Sequence, residues 1–300
     1  DYPWSGDQIK GRHSDERTER VMSVIYDRLR AVNPEFNVLS ESSSNHQLRA
    51  GCWDSEWMLG LNADFEKLID PERGGSLNDI YKTMVNSCLI SKPRSVALCA
   101  KLQVNTHDQC RNYMRPEKFK AWKTARLIQM TYVGSPSVYY GEEHNFGGST
   151  FRNRYGERRN GFSYFDWDES KWDYRMHNFF KAMLELRREY PAVKTGAYVH
   201  LGHNDDSIDY ARFDEDGTVI TLTNQTDETI GHTVNAASCN LADGTVMTDW
   251  LTGEEFNVKN GMLDVDVIPG GRILVNGGMK TSSFRLGFAA VCLEDGKKAD

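Results

Sequence analysis

The 300 residues carry 36 Lys and Arg against 43 Asp and Glu, and this net charge of −7, with the basic residues scattered, argues against a nucleic-acid backbone as partner. No apolar run approaches the ~20 residues that a membrane helix needs, so a membrane partner is excluded on the same reading. A 39% hydrophobic content is enough for a sizeable core, in one large domain or two smaller ones, and a neutral substrate suits the charge balance.

Residues 1 to 13 hold Pro3, Gly6 and Gly11 and read as a loop. The chain opens at Asp1 with neither an initiator Met nor a signal-peptide pattern, so upstream sequence is expected. A helix is predicted from an N-cap at Ser14. Asp15 and Glu16 suit its positive end, Val21, Val24, Ile25, Leu29 and Val32 recur at helical spacing, and Asn33-Pro34 ends it. Phe36–Glu41 reads as a short apolar strand that ends in a carboxylate and runs into Ser42-Ser-Ser-Asn-His46. Loop-rich sequence around Trp53 and Trp57 follows, with a short helix near Ala63–Ile69 and another over Leu77–Leu89.

Leu102 and Val104 alternate with polar neighbours, as a strand does, and lead into Asn105, Thr106, His107 and Asp108. That run is either a polar turn, because Asn, Asp and Thr bond local backbone, or a strand end of the kind on which a parallel α/β barrel displays its catalytic groups. Pro116 opens a third helix with Phe119, Trp122, Ala125 and Ile128 on one face. Ser137–Tyr140 reads as a further strand, and the alternation of strands with helices implies parallel pairing. From Glu142 to about Tyr174 runs a long loop rich in Gly, Arg and aromatic residues, expected to be functional. A helix over Met176–Tyr190, stopped by Pro191, closes this unit.

Beyond Gly196 the texture changes. Ser207–Phe213, Val219–Thr223 and Arg272–Val275 are strand-like and separated by Asp216-Gly217, Asp243-Gly244 and Gly270-Gly271, which indicates an antiparallel β-sandwich. A boundary near residues 194 to 197 divides the chain into 1–195 and 196–300, with a further strand expected at Phe284–Cys292. Cys52, Cys88, Cys99, Cys110, Cys239 and Cys292 show no C-x-x-C spacing and read as buried thiols, not as a metal knuckle or a disulfide framework.

Thr131-Tyr-Val-Gly-Ser-Pro-Ser-Val-Tyr-Tyr-Gly-Glu-Glu143 resembles the last barrel strand of the α-amylase family of glycoside hydrolases (glycoside hydrolase family 13), whose pattern there is Gly-x-Pro-x-Ile-Tyr-Tyr-Gly-Asp/Glu-Glu. Leu186-Arg-Arg-Glu-Tyr-Pro-Ala192 is similar to that family's Leu-Arg-x-x-Tyr/His-Pro-Ala signature. The resemblance covers residue 36 to about 275 and implies the second half of a (β/α)8 TIM barrel followed by an antiparallel β-sandwich domain.

Carried over residue by residue, the resemblance makes Asp108 the transition-state stabiliser and His107 a sugar ligand, with Thr106 standing where the family has Asn. It makes Glu41 the general acid/base, although Ser40-Glu41-Ser42-Ser43 departs from the family's Gly-Glu-x-Trp; Glu56, between Trp53 and Trp57, is the reserve. The family's nucleophile is an Asp two residues after an Arg; no Arg-x-Asp precedes Glu41 here, and the position falls to Asp1, with Asp7 as the alternative. Trp53, Trp57 and Tyr155 either stack on sugar faces or pack in the core. The implied activity is hydrolysis or transfer of α-glucosidic bonds of oligo- or polysaccharides through a covalent glycosyl-enzyme. The alternatives are sucrose or trehalose processing at the same site and a non-catalytic carbohydrate- or partner-binding scaffold. No cofactor is assigned to this chain, because calcium in this family is usually bound upstream. The implied partners are an α-glucan or small α-glucoside and the N-terminal half of the barrel.

Overall fold

The computed structural model describes residues 12–41, 52–70, 72–86, 101–106, 115–146, 151–152, 158–159 and 165–276, with side chains described for all of these except 12–19, 151–152 and 158–159. Helix α1 spans Arg12–Val32, so Ser14 lies inside its first turn and is not its cap. Strand β1 is only Leu39–Ser40. The expected strand over Phe36–Glu41 is shortened at its start because the Val38 N–H donates to Asp54 Oδ2 at 2.8 Å instead of to a neighbouring strand. Strand β2, Ser55–Glu56, pairs with β1 in parallel, and Trp57 bridges in parallel to Lys101 at the start of β3, Lys101–Leu102. Strand β4, Ser135–Pro136, pairs with β3 in parallel. The order β1-β2-β3-β4 follows the chain, as in a barrel built by successive βα units.

Between these strands lie α2 (Leu59–Ile69), α3 (Leu77–Met84) and α4 (Phe119–Thr131). Ser76 caps α3 by accepting from the Asp79 N–H, and Pro116 begins a single 3-10 turn that leads into α4. The sequence places one apolar face on α4, but Trp122 through Thr131 are all buried, including Lys123, Arg126 and Gln129. The polar side is not solvated because Arg126 and Gln129 turn to the ends of β3 and β4, while Lys123 and Thr124 pack against the C-terminal domain. Lys123 Nζ donates to the Gly271 carbonyl at 2.7 Å and Thr124 Oγ1 to that of Gly270 at 3.1 Å. Gly271, at φ 96°, has no room for a Cβ, which would meet the Leu222 carbonyl.

The strand expected at Ser137–Tyr140 is displaced to β4, two residues earlier. Ser137 still donates to the Leu102 carbonyl at 2.7 Å, but the Tyr139 N–H is taken by Glu142 Oε2 at 2.8 Å, which folds the chain into a turn. Short antiparallel strands β5 (Phe151–Arg152) and β6 (Arg158–Arg159) lie in the following loop, before α5 (Tyr174–Glu189), which Asp173 caps, and α6 (Ala192–Thr195).

The C-terminal strands are β7 (Ala197–His203), β8 (Ile208–Phe213), β9 (Thr218–Leu222), β10 (Ile230–Asn235), β11 (Val246–Asp249), β12 (Glu255–Asn257), β13 (Met262–Val267) and β14 (Arg272–Asn276). An antiparallel sheet of order β12-β11-β14-β9-β8-β7 is faced by the β10–β13 pair. Strand β13 alternates exposed and buried residues, as an outer strand does, whereas β9 is buried throughout because barrel helices cover one of its faces and the β10–β13 pair the other. Trp250 Nε1 donates to the Ala182 carbonyl of α5 at 2.8 Å, and Arg212 donates to the carbonyls of Thr131, Val193 and Gly196, so the two halves share core. Cys52 and Cys239 are buried free thiols; Cys88, Cys99, Cys110 and Cys292, with the expected strand Phe284–Cys292, lie outside the described residues. No helix among the described residues is long and apolar enough to cross a membrane.

Candidate active site

Parallel strands present their C-terminal ends on one face, which is where loops can assemble a site. Glu41 directly follows β1 and is exposed there. Glu56, by contrast, is the last residue of β2, level with Ser40 in the parallel register, and is 4% exposed, so its side chain is buried where that of Glu41 is not. Trp53 packs against the cluster of Met22, Val38 and Cys52, a core role. Past β3, Asn105 is buried and Thr106 half-buried. His107, Asp108, Arg111, Asp1, Asp7 and Tyr155 lie outside the described residues.

What fixes the end of β3 is a polar network that reasoning from sequence did not reach. Asn105 Nδ2 donates to Glu142 Oε1 at 2.5 Å. Arg126 Nη2 donates to the same oxygen at 2.6 Å, and both the guanidinium and the carboxylate are 1% exposed. Arg126 Nη1 donates to Gln129 Oε1 at 2.8 Å, while Gln129 Nε2 donates to the carbonyls of Leu102 and Ser137, at 3.1 and 3.0 Å. The guanidinium also lies over the rings of Trp122 and Phe180. One helix, α4, thus supplies two side chains that clamp β3 to β4 and satisfy the polar groups where the strands end. A buried ion pair of this kind holds geometry more than it adds net stability. The signal available in sequence was Glu142 itself, placed directly after the left-handed Gly141 that closes the Tyr-Tyr-Gly turn.

The long loop after β4 is built on the same turn. His144 stacks on Trp172 with centroids 3.9 Å apart and on His177 at 5.2 Å. Burial pushes its pKa below the ordinary value, with Glu143 opposing, which keeps the ring neutral near pH 7. Asp173 is held as the anion: its burial works the other way, but Arg175, bonded through both Nε and Nη2, and the Asn145 amide outweigh it. Among the described residues no group of three or more His, Cys, Asp or Glu could hold a metal.

No family model matches the chain. A cyclomaltodextrinase of Bacillus sp is 28% identical over 161 residues, which is 53% of this chain and 27% of that protein. Neopullulanase 2 of Thermoactinomyces vulgaris is 29% identical over 160 residues, covering 52% and 26%. The matched stretch therefore spans about a quarter of the length of these curated relatives. Among solved structures, the α-amylase of Geobacillus thermoleovorans complexed with acarbose superposes with a TM-score of 0.71 at 18% identity, covering 88% of this chain and 58% of that one. A cyclomaltodextrinase structure gives 0.71 at 18% identity, covering 91% and 44%. The described strands and these superpositions give the fold as the second half of a (β/α)8 barrel with a C-terminal antiparallel β-domain.

Proposed function

We propose that the chain is a member of the α-amylase family of glycoside hydrolases, as its similarity to these relatives supports, and that it supplies the acid/base half of a retaining enzyme that hydrolyses or transfers α-glucosidic bonds of oligo- or polysaccharides. The observation that carries this reading is the place of Glu41: exposed, directly after β1, on the end of the parallel strands where Asn105 and Thr106 lead into His107 and Asp108. In a retaining mechanism the nucleophile and the acid/base stand about 5–5.5 Å apart. The nucleophile, assigned to Asp1, attacks the anomeric carbon as Glu41 passes its proton to the leaving oxygen. Glu41 then takes a proton from water or a sugar hydroxyl, whose oxygen displaces the nucleophile. Asp108 and His107 hold the distorted ring through its hydroxyls.

The same reading assigns an N-terminal half-barrel as the structural partner of this chain. Among the described residues β1 pairs only on its β2 side. Val21, Val24, Ile25 and Val32 of α1 are exposed together with Phe36 and Leu39, an apolar surface of the kind a neighbouring βα unit covers. The experiment is anomeric NMR of the products formed by the full-length protein from α-linked oligosaccharides. Release of the α-anomer first supports the reading, and release of the β-anomer first contradicts it.

A further inference from the structure

Strand β7 carries His200 and His203, and a bulge brings them together. Residues three apart on a regular strand point to opposite faces. Here the ladder slips, so that His200 opposes Tyr210 of β8 while Gly202 already opposes Asp209. The extra residue, Leu201, packs toward the core of the β-domain, and both imidazoles turn the other way, onto the ring of Tyr81 in α3. His200 Nε2 and His203 Nδ1 then stand 2.9 Å apart. We propose that this pair is a binding site for a divalent transition-metal ion, copper(II) or nickel(II), an inference independent of the function proposed above.

Imidazole nitrogens bound at ~2.0–2.1 Å stand about 2.9 Å apart when they meet an ion at a right angle, and about 3.3 Å apart at a tetrahedral one. The observed separation is that of neighbouring corners of a square, the arrangement that copper(II) and nickel(II) adopt and structural zinc does not. The rings are also ready to ligate. Burial, helped by His203, holds the His200 pKa below its ordinary value against the opposing charge of Asp209, so the ring is neutral near pH 7. A neutral ligating His keeps its proton on the far nitrogen, which for these two is His200 Nδ1 and His203 Nε2. Among the described residues His200 Nδ1 has no hydrogen-bond partner, so no second bond holds that ring in the opposite tautomer. Tyr81 supports both planes, its ring centroid 4.4 Å from that of His200 and 3.6 Å from that of His203. A small turn of each ring aims both lone pairs at one point. The remaining corners fall to water, because β7 is the last strand of its sheet and His203 is exposed on it.

The test titrates the full-length protein with copper(II) chloride and follows it by electron paramagnetic resonance, with His200→Gln and His203→Gln beside the parent. The parent is expected to bind an ion saturably, with a spectrum that shows coupling to two imidazole nitrogens. Each variant is expected to lose one of the two couplings and to bind at least ~10-fold more weakly, since even an outer-shell partner of a ligating His is worth that much. His203 is exposed, so its replacement does not threaten folding. Nickel(II) is expected to compete and calcium(II) not to, because imidazole suits the former and carboxylate or carbonyl oxygen the latter. A parent spectrum without nitrogen coupling, displacement by calcium(II), or affinities within about twofold of the parent in both variants would overturn the site. So would loss of the signal in His144→Gln with His200→Gln and His203→Gln unaffected.

Discussion

Asn105 Nδ2 donates to Glu142 Oε1 at 2.5 Å across 37 residues of sequence, in a site where the Arg126 guanidinium shares the same oxygen. Removing the carboxylate leaves a buried cation and an amide without their acceptor. Glu142→Leu is therefore expected to cost about 3–5 kcal/mol, the range for breaking a buried ion pair from one side. Arg126→Met with Glu142→Leu should cost less than the sum of the two single changes, because the second substitution removes the charge stranded by the first. Urea unfolding of the three variants measures this, and strict additivity would mean that the pair does not act as a unit.

Trp250 joins the two halves of the molecule. Its indole is buried, bonded to the Ala182 carbonyl and edge-on to Tyr190 with centroids 5.8 Å apart. Trp250→Ala is expected to lower stability by about 3–5 kcal/mol, as for large-to-small changes in a core. Trp250→Phe keeps most of the volume and loses the hydrogen bond, so its cost should be smaller. Thermal unfolding followed by near-UV circular dichroism compares them.

His144 makes stability depend on pH in a defined direction. Burial holds its folded pKa below the ordinary 6.5, so around and below that value the unfolded chain binds more protons than the folded one. Its contribution is present above the unfolded pKa and is lost as pH falls through 6.5 toward the lower folded value. His144→Gln should flatten this part of the stability profile, with urea midpoints at pH 5 to 8 as the measurement. An unchanged slope in the variant would assign the dependence to other groups.

Val24 on α1 is 62% exposed. In the 300-residue chain Val24→Asp should change stability by no more than about 0.5 kcal/mol, as exposed substitutions do. With the proposed N-terminal half-barrel in place against α1, the same change would bury a carboxylate and cost several kcal/mol. Equal effects in both backgrounds would place the half-barrel's contact elsewhere.

Punctuation by proline was the most readable part of the fold. Asn33-Pro34, Pro116 and Pro191 mark the end of α1, the entry to α4 and the stop after α5 because a ring without an N–H restricts its own residue and the one before it. Strand lengths were less readable. β1 and β4 are two residues long because side-chain carboxylates, Asp54 at Val38 and Glu142 at Tyr139, take the backbone N–H groups that would have extended the ladder. The burial of Lys123 and Thr124 on α4 was not readable at all, since it depends on Gly270 and Gly271 arriving from nearly 150 residues away. At the site, Glu41 could be placed from its strand. Arg126 and Gln129 could not, because a lone Arg or Gln in a helix pattern gives no sign of which strand end it reaches.

The central claim is that Glu41 and Asp108 carry chemistry on an α-glucosidic bond. The most direct test is the rate of maltotriose hydrolysis by the full-length protein beside its Glu41→Gln and Asp108→Asn variants, each confirmed as folded by circular dichroism. The account predicts a parent that cleaves maltotriose and variants slower by at least ~100-fold, the lower end for losing an acid/base group. Full activity in either variant would contradict it.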